Sequence, residues 1–128
     1  MTSRGVLLVL IALPGTQGFY GFVCAFIIAS KSGLLGGADG VVITPTVGFA
    51  MMFIGIGAGV VLWLSAVNQG QASAASINLT AKKPEQAGRS ILFPALVETY
   101  AVVALLAAIL LINWVTGVTK VAPTLLAQ

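Results

Sequence analysis

One carboxylate stands inside a long apolar stretch of this chain. Glu98 lies nine residues beyond Arg89, in a run that stays largely apolar as far as Trp114. At about 1.5 Å per helical residue it sits roughly 13 Å from the charged end, near the middle of a bilayer. An ionisable group there costs on the order of 3 kcal/mol or more to insert, so it marks a place where a proton or a cation is held. Oxygen donors occur at matching depth. Leu13, Thr16, Gln17 and Tyr20 are spaced i, i+3, i+4, i+7 and share one helical face. Gln69 and Glu98 are equidistant from the Lys83–Pro84 turn, so an antiparallel hairpin puts the amide level with the carboxylate. Two amides, a hydroxyl and a carboxylate form an all-oxygen set of the kind hard cations prefer. One negative charge suits a monovalent ion, because a divalent ion would leave buried positive charge uncompensated. A protonated Glu98 donating to one of these oxygens is the proton-carrying alternative.

The elements that position these groups follow from composition and punctuation. The 128 residues are 59% hydrophobic and 7% charged, with a mean hydropathy of +1.08, which indicates an all-α membrane protein. With no His and only Cys24, neither a His/Cys metal centre, an internal disulfide nor a Ser-His-Asp set is available. The net charge of +3 comes from nine charged groups with no basic stripe, so no nucleic-acid partner is implied. No cofactor is expected.

Three transmembrane helices are predicted, one unpaired and two forming a hairpin. Helix A covers 1–30, with Pro14-Gly15 inside it. A Gly-rich loop, 31–45, precedes helix B at 46–80. A turn at 81–86 leads to helix C at 87–115, and 116–128 form a short, weakly structured tail. The run from Arg4 through Tyr20 to Ala29 exceeds the ~15 residues of a signal-peptide core, so helix A is read as mature. Arg4, Lys82, Lys83 and Arg89 fall on one side and Lys31 and Lys120 on the other. The positive-inside rule therefore places the 81–86 turn in the cytoplasm of a multi-pass cell-membrane protein and the 31–45 loop outside.

Two further patterns concern helix association. Gly55 and Gly59 form a small-xxx-small pair on the Gly-rich helix B, expected to let helices approach closely. Helices A and C also align at an offset of 80 residues, matching Ile11 with Ile91, Pro14 with Pro94, Tyr20 with Tyr100 and Val23 with Val103. Gly18 then falls where Glu98 falls. Such a repeat suggests duplicated hairpins of which the second retains the acid.

Leu13-Pro-Gly-Thr-Gln-Gly-Phe-Tyr-Gly21, Asn68-Gln-Gly70, Ala81-Lys-Lys-Pro-Glu85 and Val97-Glu-Thr-Tyr-Ala101 together resemble the rotor-ring proteolipids (K or c subunits) of bacterial V-type ATPases and ATP synthases. The sodium-translocating type is resembled most. The resemblance implies a non-enzymatic ring protomer, surrounded by identical subunits, lipid, a stator membrane subunit and a central-stalk subunit. It further implies that Na⁺ is held by the Leu13 carbonyl and the side chains of Thr16, Gln17, Gln69 and Glu98. Tyr20 then closes the site by bonding Glu98. Members of this type have four helices in two hairpins, so the first helix is expected to be lacking, by truncation, a misassigned start or genuine variation. Two rival readings are the same rotor carrying H⁺ and a small multidrug/proton antiporter. The antiporter calls for aromatic residues facing its acid, where this chain offers mainly Thr and Gln oxygens.

Overall fold

Prolines and short 3₁₀ turns punctuate the helices of this chain. The computed structural model describes residues 3–36 and 43–126, and the predicted loop residues 37–42, with the last two residues of the tail, lie outside that description. The first span is α1 (Ser3–Ala12), a 3₁₀ turn at Leu13–Gly15, and α2 (Thr16–Lys31). Pro14 has no N–H to continue an α-helical ladder, so the chain tightens for one turn and resumes when the Thr16 N–H bonds Leu13 O. The second span is α3 (Pro45–Lys82). It opens with Pro45 at the first helical position, where a missing N–H is harmless, and Thr44 Oγ1 accepts the Val47 N–H. It ends because Lys83 precedes Pro84 and takes an extended-side conformation (φ −138°, ψ 82°). A 3₁₀ turn (Pro84–Gln86), α4 (Ala87–Ser90) and α5 (Leu92–Leu126) complete the chain.

All the described secondary structure is helical, and three segments are long and apolar enough to cross a membrane: Arg4–Lys31, Pro45–Lys82 and Pro84–Gly117. The last helix does not stop at 115, as the reading of 116–128 as a weakly structured tail required, but runs on to Leu126. Gly117 costs only about 1 kcal/mol relative to Ala, and no proline intervenes before Pro123, so nothing breaks the ladder at 115.

α3 and α5 form the hairpin, and α1–α2 lies against one side of it, touching both. The shared interior is a narrow stripe. Val6, Leu10 and Ala87 meet at one end, Cys24, Ala58 and Ala108 further along, and Val47, Met51 and Ile112 at the other end. Broad apolar faces remain outward, as expected where lipid or other membrane helices are the surroundings.

Of the two glycines expected at close contacts, only Gly55 has one. A Cβ there would stand 3.3 Å from Ile28 Cδ1 on α2, while a Cβ on Gly59 would meet nothing within 4 Å. Gly59 sits instead in an open crevice beside Gly18, Trp63 and Ala66. Its expected role in helix packing is therefore not seen within the protomer. Replacing Gly55 with Leu should force α2 off α3 and cost about 1–3 kcal/mol. Gly59→Ala, which meets nothing and removes a helical glycine, should stabilise by up to about 1 kcal/mol. Unfolding of the purified protein in graded denaturing detergent checks both.

Candidate functional site

The 3₁₀ turn at Leu13–Gly15 aims the start of α2 at the hairpin. Pro14 leaves Leu13 O facing the first residues of α2, and Thr16 Oγ1 lies 2.8 Å from it. The same hydroxyl lies 2.7 and 2.9 Å from the two carboxylate oxygens of Glu98, and 3.3 Å from Gln17 Oε1. Four acceptor oxygens thus crowd one hydroxyl that has a single proton to donate. One turn along α2, Tyr20 donates its hydroxyl to Glu98 Oε1 at 2.7 Å.

Gln69 completes the arrangement from α3. It is fully buried, and its Nε2 donates to Glu98 Oε2 at 2.6 Å and to Pro94 O at 3.0 Å. Its Oε1 accepts from Gln17 Nε2. All six residues singled out in the sequence therefore meet at one point: Leu13, Thr16, Gln17, Tyr20, Gln69 and Glu98. Glu98 itself is only partly buried, with Tyr20 and Thr16 beside it at the surface of the three-helix unit. Its hydrogen-bond partners are all neutral. Each supplies a dipole and none supplies a compensating charge. What the arrangement offers chemically is a carboxylate within a helix long and apolar enough to cross a membrane, with surplus oxygen lone pairs around it, which suits a proton or a small hard cation.

A supporting layer was not picked out in the sequence. Ser65, Ser73, Ser76 and Thr80 are buried on the same face of α3 as Gln69, four residues before it and four, seven and eleven after it. Ser65 Oγ donates to Val97 O at 3.2 Å, beside Glu98. Pro94 cannot bond Ser90 O, and Ser76 Oγ takes that carbonyl at 2.7 Å. Thr80 Oγ1 lies 3.0 Å from Ser90 Oγ, so the hairpin is riveted on the side of its turn. These bonds hold α5, and with it Glu98, in register against α3. The signal was present as helical periodicity of small polar residues, which reads from sequence only as an Ala/Ser-rich helix. Ser73 Oγ is buried one turn from Gln69 with no hydrogen-bond partner, and nothing in the packing explains it.

Comparison with known proteins bears on the whole unit. The family model for the C subunit of ATP synthase matches residues 46–111, slightly more than half of the chain, and takes in both Gln69 and Glu98. The chain belongs to the ATP synthase C-subunit family. Proteins of this family are non-catalytic, ion-translocating rotor components. The chain is 38% identical over 112 residues to the V-type sodium ATPase subunit K of Enterococcus hirae, covering 84% of this chain and 65% of that one. It is 37% identical over 109 residues to the A-type ATP synthase subunit K of Methanocaldococcus jannaschii, covering 84% of this chain and 44% of the relative. The chain thus spans less than two thirds of the length of either relative.

Proposed function

We propose that this chain is a rotor-ring protomer of a V/A-type ATPase that carries Na⁺ on Glu98, coupling ion translocation to rotation. The observation that carries the reading is the excess of oxygen around Thr16: Leu13 O, Gln17 Oε1 and both Glu98 oxygens lie within 3.3 Å of its hydroxyl. Those groups, with the amide of Gln69, are the ligands for the ion, and Tyr20 closes the site by holding Glu98 Oε1. A rotation of about 180° about the last side-chain bond exchanges the nitrogen and oxygen of Gln69, so its amide serves the empty and the loaded states alike. The similarity to a sodium ATPase component supports Na⁺ as the cargo.

The mechanism is neutralisation. A bare carboxylate is expensive in hydrocarbon, whereas one paired with a cation or a proton is not. A loaded site is therefore free to turn through lipid, and an unloaded one is confined to a polar path supplied by a stator subunit. Identical subunits form the ring and a central stalk transmits its torque. Arg4, Lys82, Lys83 and Arg89 at one end support a cytoplasmic 81–86 turn.

Carbodiimide labelling in membranes tests the cargo. The reagent modifies a protonated carboxyl, so a bound cation shields it. Labelling of Glu98 is expected to be suppressed by Na⁺ and unaffected by K⁺. Labelling that tracks pH and ignores Na⁺ would make this a proton rotor, and no labelling at any pH would remove Glu98 from the transport path.

A further inference from the structure

Three carbonyls of the last span, Ser90 O, Pro94 O and Val97 O, accept from side chains of α3. Ser76 Oγ holds Ser90 O at 2.7 Å, Gln69 Nε2 holds Pro94 O at 3.0 Å, and Ser65 Oγ holds Val97 O at 3.2 Å. The buried face of α3 from Ser65 to Ser76 has a fourth donor in Ser73. Its side chain is only 3% exposed, and its hydroxyl has no partner among the described residues. A buried hydroxyl without a bond destabilises the state that contains it. That cost is offset only in a state that gives Ser73 an acceptor.

The order of bonds along the hairpin identifies the acceptor. Ser73 stands between Ser76, which holds Ser90 O, and Gln69, which holds Pro94 O, so it faces the interval between those two carbonyls. Its side chain leans toward the N-terminus of α3, that is, toward the level of Gln69. Ser76 touches none of the ion ligands and has no reason to release Ser90 O. Gln69 differs, because it is itself one of the ligands proposed for the ion. The rotation that brings Gln69 Oε1 to the ion carries Nε2 away from both Glu98 Oε2 and Pro94 O. Pro94 O then lacks its side-chain donor, and Ser73 is the unengaged donor beside it.

We infer that Ser73 is a positioning residue for the loaded site: as Gln69 turns its amide oxygen to the ion, the Ser73 hydroxyl takes over Pro94 O. The carbonyl keeps a donor and the hydroxyl gains an acceptor, and both changes favour the loaded protomer. Ser73 thus raises sodium affinity through Gln69 without touching the ion. A protonated Glu98 is served by the Gln69 amide as it stands, with Nε2 on Pro94 O, so the exchange favours sodium over the proton. The exchange rests on the reading of Gln69 as a ligand of the carried ion.

Ser73→Ala and Ser73→Cys test it, the second keeping the bulk with a thiol that donates weakly. The readouts are carbodiimide labelling of Glu98 across sodium concentration and the thermal unfolding midpoint of the purified protein with and without sodium. Both variants should need about 3- to 10-fold more sodium to halve labelling, the worth of one hydrogen bond. Labelling against pH without sodium should match that of the native protein. The sodium-free midpoint of Ser73→Ala should equal or exceed the native one, since an unbonded hydroxyl is removed, while added sodium should raise it less. Sodium protection in the native protein with the same sodium dependence in both variants overturns the exchange and leaves the sodium reading standing. A lower sodium-free midpoint in Ser73→Ala gives the hydroxyl a partner in both states, such as a buried water, and overturns the exchange as well. Native labelling that ignores sodium overturns the sodium reading and the exchange together.

Discussion

Glu98→Gln is expected to abolish sodium binding and coupled transport while leaving the protomer folded. The amide is isosteric, and its oxygen can still accept from Tyr20 and Thr16, which in the native protein lie 2.7 Å from Glu98. What disappears is the charge. A unit charge about 4 Å from a monovalent ion contributes about 4 kcal/mol at an effective dielectric of 20, or about three orders of magnitude in affinity. The remaining ligands are neutral dipoles and do not replace it. Radioactive sodium binding to purified protein should fall below detection, with the helical circular-dichroism spectrum unchanged. Retained sodium binding in this variant would remove Glu98 from the site. Glu98→Asp separates charge from reach, since it keeps the carboxylate but draws it back by one methylene from Tyr20 and Gln69. It is expected to bind sodium weakly.

The second large effect is at Thr16. Its hydroxyl lies within 3.3 Å of Leu13 O, Gln17 Oε1 and both oxygens of Glu98, so it joins the α1–α2 oxygens to the carboxylate of α5. Thr16→Val keeps the volume and removes the oxygen. Losing a hydrogen bond to a charged group costs about 1.5–3 kcal/mol, so sodium affinity should drop by about 10- to 100-fold. Proton use should be spared, because a protonated Glu98 still has Gln69 and Tyr20 as partners. Thr16→Ser, which restores the hydroxyl, should recover most of the affinity. Sodium titrations of carbodiimide labelling across these variants provide the measurement. An unchanged sodium dependence in Thr16→Val would mean that the hydroxyl only orients Glu98 and is not a ligand.

Much of the site was legible because membranes simplify reading. A charged residue within a long apolar run is costly enough that its presence already signals function, which singled out Glu98. Helical periodicity grouped Leu13, Thr16, Gln17 and Tyr20, and the Lys83–Pro84 turn placed Gln69 level with Glu98. Other features were not legible. Glycine spacing suggested that both Gly55 and Gly59 approach a neighbouring helix, yet Gly59 lies at an open crevice, because contact depends on how α2 crosses α3. The continuation of α5 to Leu126 was not legible, because Gly117 and Pro123 have low helix propensity, although neither breaks this helix.

Sequence alone determined the helical class, the three apolar spans, the level of the carboxylate beside Gln69 and the kind of atoms around it, since all of these follow from hydropathy, period and distance from turns. Tertiary structure decided what such one-dimensional quantities cannot contain. It set which oxygens converge on Thr16, how Pro94 frees Ser90 O for Ser76 and ties α5 to α3, and which face of the hairpin α2 leaves uncovered. Period and depth locate a residue on its own helix, but the rotation of one helix against another is chosen by side-chain packing over the whole interface.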